Sequence, residues 1–356
     1  MAKPKVLIFA PREEPPEALQ KLESAGCELA FGEVAWQLPR GHHEDALVAA
    51  AREATALMGT SLRHTPITRR VMEASQRLRI VAKYTVGVDD VDVEAASELG
   101  ILVCHAPTEA NCFGVAETTM TVMLALLKKV RERDAAVRAG KWRENELATT
   151  FIGSRADGYA GITVGLVGLG RIGTRVAQLL APWRVRILAC DPYIEPARFI
   201  LANATPVDYE TLLREADVVS FHVVLTKETR GMLSDAQLAL MKPNAIVINT
   251  ARGRIVDEAA LARALAADKI RGAAIDAFAE EPLPGDSPLR KLGDKILMSP
   301  HAASFNDDAG GELRPGIAWA TRSVLTALNG QVPDNVYNKH VISRWKERFG
   351  GASATG

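Results

Sequence analysis

The chain of 356 residues has no surplus of charge of either sign, few cysteines and no long apolar run near its start. Each shortage removes a class of function. Lys plus Arg number 43 and Asp plus Glu number 43, so no global field draws the chain onto DNA, RNA or an anionic membrane. The four cysteines, Cys27, Cys104, Cys112 and Cys190, have neither the Cys-x-x-Cys spacing of a zinc site nor the density of a disulfide scaffold. They are expected to be reduced, in a cytoplasmic protein, and no metal site is expected. Ahead of Pro11-Arg12-Glu13-Glu14 only Val6 to Ala10 is apolar, too short for the hydrophobic region of a signal peptide. The strongest apolar stretch further on, Thr118 to Leu127, falls short of the roughly 30 Å of hydrocarbon in a bilayer. No membrane or nucleic-acid partner is therefore expected. Hydrophobic residues at 47% and charged residues at 24% rule out disorder over most of the chain.

What is present is length and alternation. At about 150 residues per domain the chain predicts two domains. In the first part, Val6–Phe9, Ala56–Met58, Ile80–Ala82 and Ile101–Val103 are short apolar runs separated by helix-sized amphipathic spacers. That alternation predicts βαβ units around a parallel sheet. From about Asn111 to Ala139 a run without proline, apolar and then charged, predicts one long helix leaving the first domain. A second series follows, with strands expected at Thr163–Val167, Val185–Ala189, Val218–His222, Ala245–Asn249, Ala273–Asp276 and Ile296–Met298. Six strands with intervening helices is the count of a dinucleotide-binding sheet. Beyond it, a helix is expected over roughly Asp308 to Asn329, then a tail that packs back on the first domain.

The sharpest motif is Gly168-Leu169-Gly170-Arg171-Ile172-Gly173, which follows an apolar strand and opens a helical pattern at Ile172, Val176, Leu179 and Leu180. Glycines there let the backbone approach a pyrophosphate, and the helix N-terminus offers free N–H groups with a partial positive charge. Asp191 lies 18 residues beyond Gly173, at the end of the next strand, where a carboxylate can accept the ribose hydroxyls of adenosine. A 2′-phosphate would be repelled there, and no Arg or Lys follows before Arg198. NAD is expected, not NADP.

Three residues stand at ends of expected strands in the same half: Arg252 in Asn249-Thr250-Ala251-Arg252-Gly253, Glu281 in Asp276-Ala277-Phe278-Ala279-Glu280-Glu281-Pro282, and His301 in Ser299-Pro300-His301-Ala302-Ala303. Ligands bind beyond the carboxyl ends of strands in open α/β sheets, so all three can face one crevice. Reducing a carbonyl with a hydride needs a cation to hold and polarise the substrate, and an acid to protonate the oxygen as hydride arrives. Arg252 suits the first task. His301 suits the second, because a free histidine titrates near about 6.5 and a neighbouring carboxylate, Glu281, raises that by roughly a unit or more.

With these motifs linked, the sequence from about Ile80 to Asn338 resembles the D-isomer-specific 2-hydroxyacid dehydrogenases, the family of D-3-phosphoglycerate, D-lactate and glyoxylate/hydroxypyruvate enzymes. The resemblance implies an α/β fold of two doubly wound parallel-sheet domains. A dinucleotide-binding Rossmann domain, 111–304, is inserted in a flavodoxin-like substrate domain, 1–110 with 305–356. It also implies hydride transfer between NAD and a small D-2-hydroxy acid or its 2-oxo partner, and a homodimer paired through the cofactor domain. By resemblance, the backbone of Val86 and Gly87 holds the substrate carboxylate, and Arg171 and Ile172 contact the pyrophosphate. Val223 and Thr229 lie in a further cofactor loop, and Thr250 and Asp276 lie on the nicotinamide side. Lys83, Thr85, Asp90 and Val224 depart from the family's usual Arg, Gly, Asn and Pro.

Other side chains lie outside these motifs. Arg63, beside His64 after Met58-Gly59-Thr60, can read the far end of the substrate, whereas adjacent His42 and His43 cannot chelate from one helix face. Cys112 is expected to be a small buried residue, since no covalent intermediate is needed. Two alternatives remain open. An NAD-sensing interaction protein resembling the C-terminal-binding corepressors keeps the same triad, and formate or phosphite oxidation occurs on the same fold. Formate enzymes of the family pair the histidine with Gln, and Glu281 stands here instead.

Overall fold

The computed structural model describes residues 3–11, 14–32, 43–62, 65–305 and 313–354. In chain order the elements are β1 (Lys5–Ala10), α1 (Pro16–Ser24), β2 (Glu28–Phe31), α2 (Glu44–Ala51), β3 (Ala54–Gly59), α3 (Arg69–Glu73), β4 (Ile80–Lys83), α4 (Val93–Glu98), β5 (Leu102–Cys104), α5 (Glu109–Leu127) and α6 (Val130–Arg138). There follow β6 (Thr163–Val167), α7 (Arg171–Leu180), β7 (Arg186–Cys190), α8 (Pro196–Leu201), β8 (Thr205–Pro206), α9 (Tyr209–Glu215), β9 (Val218–Phe221), α10 (Asp235–Leu238) and β10 (Ile246–Asn249). The last are α11 (Glu258–Ala266), β11 (Gly272–Ile275), β12 (Ile296–Met298), α12 (Leu313–Leu328) and α13 (Ile342–Phe349). The chain divides into two compact units, Met1–Asn111 with Asn306–Gly356, and Cys112–Phe305.

In the first unit an all-parallel sheet runs β2-β1-β3-β4-β5. This is the flavodoxin-like 2-1-3-4-5 order. Side chains alternate across it: Val6, Ile8, Ile80 and Ala82 pack with Ile317, Val324 and Trp345 on one face, while Leu7, Phe9 and Val81 pack with Leu47, Val71 and Ala95 on the other. Both faces are covered, which is why the strands read as unbroken apolar runs. The C-terminal segment belongs to this unit; the buried Trp345 donates from Nε1 to the Arg79 carbonyl at 2.9 Å. It ends in α13, where only a tail was expected. The edge strand β2 was also not expected, and its half-exposed residues explain why: Glu28 and Phe31 are exposed, so no apolar run marks it.

The second unit holds a seven-stranded parallel sheet, β12-β11-β10-β9-β6-β7-β8. Counted from its own first strand this is 3-2-1-4-5-6 with a seventh strand added, the dinucleotide-binding order with its switch point between β6 and β9. The strand not among the six expected is β8, two exposed residues at the other edge. Helices α5 and α7 cover one face of the sheet and α9, α10 and α11 the other.

The single helix expected over Asn111 to Ala139 is two, α5 and α6, broken at Lys129, which lies in the left-handed region at φ 50°. No glycine or proline announces the break. The last carbonyls of α5 are capped from distant segments, Arg271 donating to Leu126 and Leu127 at 3.1 and 3.4 Å and the Thr150 amide to Leu127 at 3.2 Å. By length and composition α5 is long and apolar enough to cross a bilayer, but 56% of its most apolar window is buried, with Met120, Met123 and Leu127 in the core of the second unit.

Candidate active site

The glycine-rich turn sits at the switch point, between β6 and α7. Its three glycines meet three different demands. Gly168 has φ +93°, and a Cβ there would lie 2.8 Å from the His222 carbonyl oxygen. Gly173 packs so closely that its Cβ would lie 2.2 Å from the Gly168 carbonyl oxygen, which seats α7 on the strand. A Cβ on Gly170 would meet nothing within 4 Å. The second glycine therefore borders open space at the helix N-terminus, the place where a pyrophosphate needs the backbone bare. Arg171 is exposed and Ile172 half-buried beside it. Asp191, at the end of β7, accepts from the Leu169 amide at 2.8 Å and the Tyr193 amide at 3.1 Å. Its carboxylate is thus tied to the turn itself. These residues fit a dinucleotide.

Across the switch point, β9 leads into the loop carrying Val223 and Thr229. The Thr229 hydroxyl donates to the Val224 carbonyl at 2.6 Å and accepts from the Thr226 amide at 2.8 Å, so it pins that loop on itself. His222, whose Nε2 is 2.9 Å from the Ser220 hydroxyl, is held by burial at a pKa of about 4. It is therefore neutral near pH 7.

The three strand-end residues lie on neighbouring loops. His301 follows β12 with φ 53°, a left-handed conformation that costs a non-glycine residue energy and persists only when its surroundings enforce it. Asp276 is what enforces it. Its backbone carbonyl accepts from the His301 amide at 2.8 Å, and its buried carboxylate gathers the Ser299 hydroxyl at 2.6 Å and the Ala302 and Ala303 amides at 2.8 and 3.1 Å. The turn presents the ring to Glu281. Nδ1 of His301 lies 2.8 and 2.9 Å from the two Glu281 carboxylate oxygens, with the imidazole 36% exposed and the carboxylate 16%. A carboxylate only accepts, so Nδ1 carries a proton and Nε2 is the atom left to exchange one.

Arg252 follows β10, where Asn249 staples the turn: its amide donates to the Arg252 carbonyl at 2.9 Å and its Oδ1 accepts from the Ala251 amide at 3.1 Å. Next to it a Cβ on Gly253 would lie 1.9 Å from the Phe278 carbonyl carbon. The Arg252 turn and the Glu281 loop are therefore in backbone contact. The Thr250 hydroxyl lies 3.0 Å from that of Thr119 on α5. Asn249, Ser299 and Gly253 were not singled out from the sequence. An asparagine closing the apolar run Ala245–Ile248 is the available signal for the first of them, and the structure buries it fully.

In the first unit, Val86 and Gly87 lie in the loop after β4. The Thr85 hydroxyl donates to the Gly87 carbonyl at 3.0 Å, and His105 Nδ1 donates to the Val86 carbonyl at 3.1 Å. Lys83, which ends β4 and is fully buried, donates to Asp90 Oδ2 at 2.5 Å and to the Thr60 carbonyl at 2.9 Å. Arg63, His64 and His42 lie outside the described residues; His43 precedes α2. Among the described residues, no group of three His, Cys, Asp or Glu could hold a metal ion.

A parallel sheet in the dinucleotide-binding order, with its glycine turn and paired acidic residue at the switch point and a carboxylate–imidazole couple at the same strand ends, defines a nucleotide-dependent oxidoreductase. Residues 120–303 match the D-isomer specific 2-hydroxyacid dehydrogenase NAD binding domain. The chain is 35% identical over 346 residues to the glyoxylate reductase of Thermococcus litoralis, covering 96% of this chain and 98% of that one. It is 39% identical over 297 residues to the D-3-phosphoglycerate dehydrogenase of Mycobacterium bovis, covering 83% of this chain but only 53% of that longer protein. The crystal structure of the TT0316 protein from Thermus thermophilus superposes with a TM-score of 0.78 at 33% identity, covering 94% of this chain and 99% of that one. The chain belongs to the D-isomer specific 2-hydroxyacid dehydrogenase family, and NAD is its cofactor.

Proposed function

We propose that the protein interconverts a small D-2-hydroxy acid and its 2-oxo acid, with Arg252, Glu281 and His301 as the reacting machinery. The observation that carries this reading is the contact of His301 Nδ1 with both oxygens of Glu281. When bound, the cofactor would supply the hydride in its reduced form, NADH, and accept it in its oxidised form, NAD+. In reduction, protonated His301 gives its Nε2 proton to the carbonyl oxygen, while Glu281 stabilises the imidazolium until that moment. In oxidation the neutral ring takes the proton back through the same atom. Arg252, permanently charged and forked, holds the substrate carboxylate and polarises the carbonyl. In this reading the second unit is the cofactor domain and the first the substrate domain. Gly168, Gly170, Arg171, Ile172 and Gly173 take the pyrophosphate, and Asp191 takes the adenosine ribose. Val223, Thr229, Thr250 and Asp276 shape the remaining cofactor contacts. Val86 and Gly87 offer backbone N–H groups to the substrate carboxylate, with Arg63 toward its far end.

Oxidation of NADH with a panel of 2-oxo acids, glyoxylate and hydroxypyruvate included, tests the activity. Turnover of at least one is expected, with NADPH a poor substitute. Asp191→Ala is expected to weaken NADH binding and to narrow the gap between the cofactors. No turnover across the panel would leave a cofactor-sensing protein as the better reading, and equal use of both cofactors by the unaltered enzyme would remove the role given to Asp191.

We also propose a cytoplasmic homodimer paired through the second unit. The support is a run of exposed apolar side chains on α6 and just beyond it, Val130, Val137, Trp142 and Phe151, all more than half exposed. A dimer is expected in sedimentation at micromolar concentration, and a monomer would contradict it.

A further inference from the structure

Asp257 and Glu258 stand side by side at the start of α11, and only the first serves the helix. Asp257 is the N-cap, its Oδ1 accepting from the Ala260 amide at 3.0 Å. Glu258 is directed elsewhere: its Oε1 accepts from the Ala279 amide at 2.6 Å. Ala279 lies two residues before Glu281, on the loop that leads from β11. The same loop is gripped twice more from the same segment of chain. Arg254 Nε donates to the Ala279 carbonyl at 3.4 Å, and Gly253 is in backbone contact with Phe278. The Phe278 amide in turn donates to Glu281 Oε1 at 2.9 Å, one of the two oxygens that His301 meets. Partial burial raises the Glu258 carboxyl above its ordinary range, so a group placed there at a desolvation cost is committed to a single amide.

We infer that Glu258 is a positioning residue for proton transfer: by fixing the Ala279 amide it holds the loop 278–281 against the Arg252-bearing turn and sets Glu281 at the distance at which it meets His301 Nδ1. The inference rests on the reading of Glu281 and His301 as the proton-transfer pair. Glu258 itself touches no reacting atom. It acts through Glu281, and the distinction can be measured.

The test uses the full-length protein with Glu258→Met, which keeps bulk but has no oxygen acceptor, Glu258→Ala, Glu258→Gln, which keeps Oε1 as an acceptor, and Glu281→Gln. Two properties are read: kcat with NADH and the 2-oxo acid that turns over fastest in the panel, and the His301 ring tautomer from its 15N shifts in the neutral form without substrate. Glu258→Met and Glu258→Ala are expected to lower kcat roughly 10- to 100-fold, the usual effect of a displacement near 1 Å, with KM for NADH unchanged. In both, His301 should lose its uniform Nδ1–H tautomer. Glu258→Gln should restore both properties. In the Glu281→Gln background, Glu258→Met should cost nothing further, since the route through Glu281 is already cut. If Glu258→Met keeps wild-type kcat and tautomer while Glu281→Gln loses them, the inference is wrong and the pair stands. Losses that multiply in the double variant would also overturn it. If Glu281→Gln itself changes neither property, the pair fails, and the inference with it. Circular dichroism identifies any variant that has not folded, and the other of Met or Ala then decides.

Discussion

Replacing His301 with alanine is expected to lower turnover by about 10²–10⁴-fold, the usual contribution of a positioned acid or base, with NADH affinity nearly intact. Because the proton moves only in the transition state, kcat and kcat/KM should fall together. Glu281→Gln should behave differently. It keeps the shape, but its amide can turn either oxygen or nitrogen toward Nδ1, and it removes the negative charge 2.8 Å from the ring. That charge favours the imidazolium, so without it the donor loses its proton at lower pH. Reduction needs protonated His301, so its high-pH limit should move toward acid. Oxidation needs the neutral ring, so its low-pH limit should move the same way and activity should extend to lower pH. The other histidine at these strand ends cannot produce this limb, since burial holds His222 at about 4. Rate profiles in both directions settle the matter: if neither limit moves while activity remains measurable, Glu281 is not the partner of His301.

The residues of this couple were legible in the sequence, but their geometry was not. Strands buried on both faces announce themselves as apolar runs, which is why β1, β3, β4 and the central strands of the second sheet could be read directly. The edge strands β2 and β8 carry no such run, since one or both of their faces meet solvent. The end of α5 is capped by the Thr150 amide and by Arg271, the latter more than 140 residues downstream of the carbonyls it meets, and no local pattern encodes that. At the site, Gly168, Gly170 and Gly173 were visible because one short motif contains turn, opening and packing contact together. Asp276 was read as a cofactor contact. Its three hydrogen bonds also make it the group that holds His301 in a left-handed turn, a tertiary role that spacing does not reveal. Glu258 escaped notice for a related reason, because an Asp-Glu pair opening a helix reads as a cap and its neighbour.

The largest stability effect is expected at Lys83 and Asp90. Lys83 Nζ has no exposure to water, and burial pulls its pKa down against the pull of Asp90 upward. The ammonium is satisfied by Asp90 Oδ2 at 2.5 Å and the Thr60 carbonyl at 2.9 Å, with the Phe9 ring 5.4 Å away. Asp90 Oδ2 also accepts from the Leu62 amide at 2.7 Å, and the Asp90 carbonyl from the Ile67 amide at 2.7 Å. One ion pair therefore ties the ends of β1, β3 and β4 to the loop that carries Val86 and Gly87. Removing one member leaves the other buried without its counter-charge, so Asp90→Asn or Lys83→Met alone should cost about 3–5 kcal/mol in the unfolding of the first unit. Removing both is a different matter. An uncharged pair has no ion to desolvate, and Asn at 90 can still accept from the Leu62 amide, so Lys83→Met with Asp90→Asn should cost less than the sum of the single changes by about 0.5–3 kcal/mol. Urea unfolding of the four proteins measures this coupling. Strictly additive losses, or a single Asp90→Asn that unfolds at the wild-type urea concentration, would mean that the pair carries no linked stability and that the loop holding Val86 and Gly87 is fixed by its other contacts.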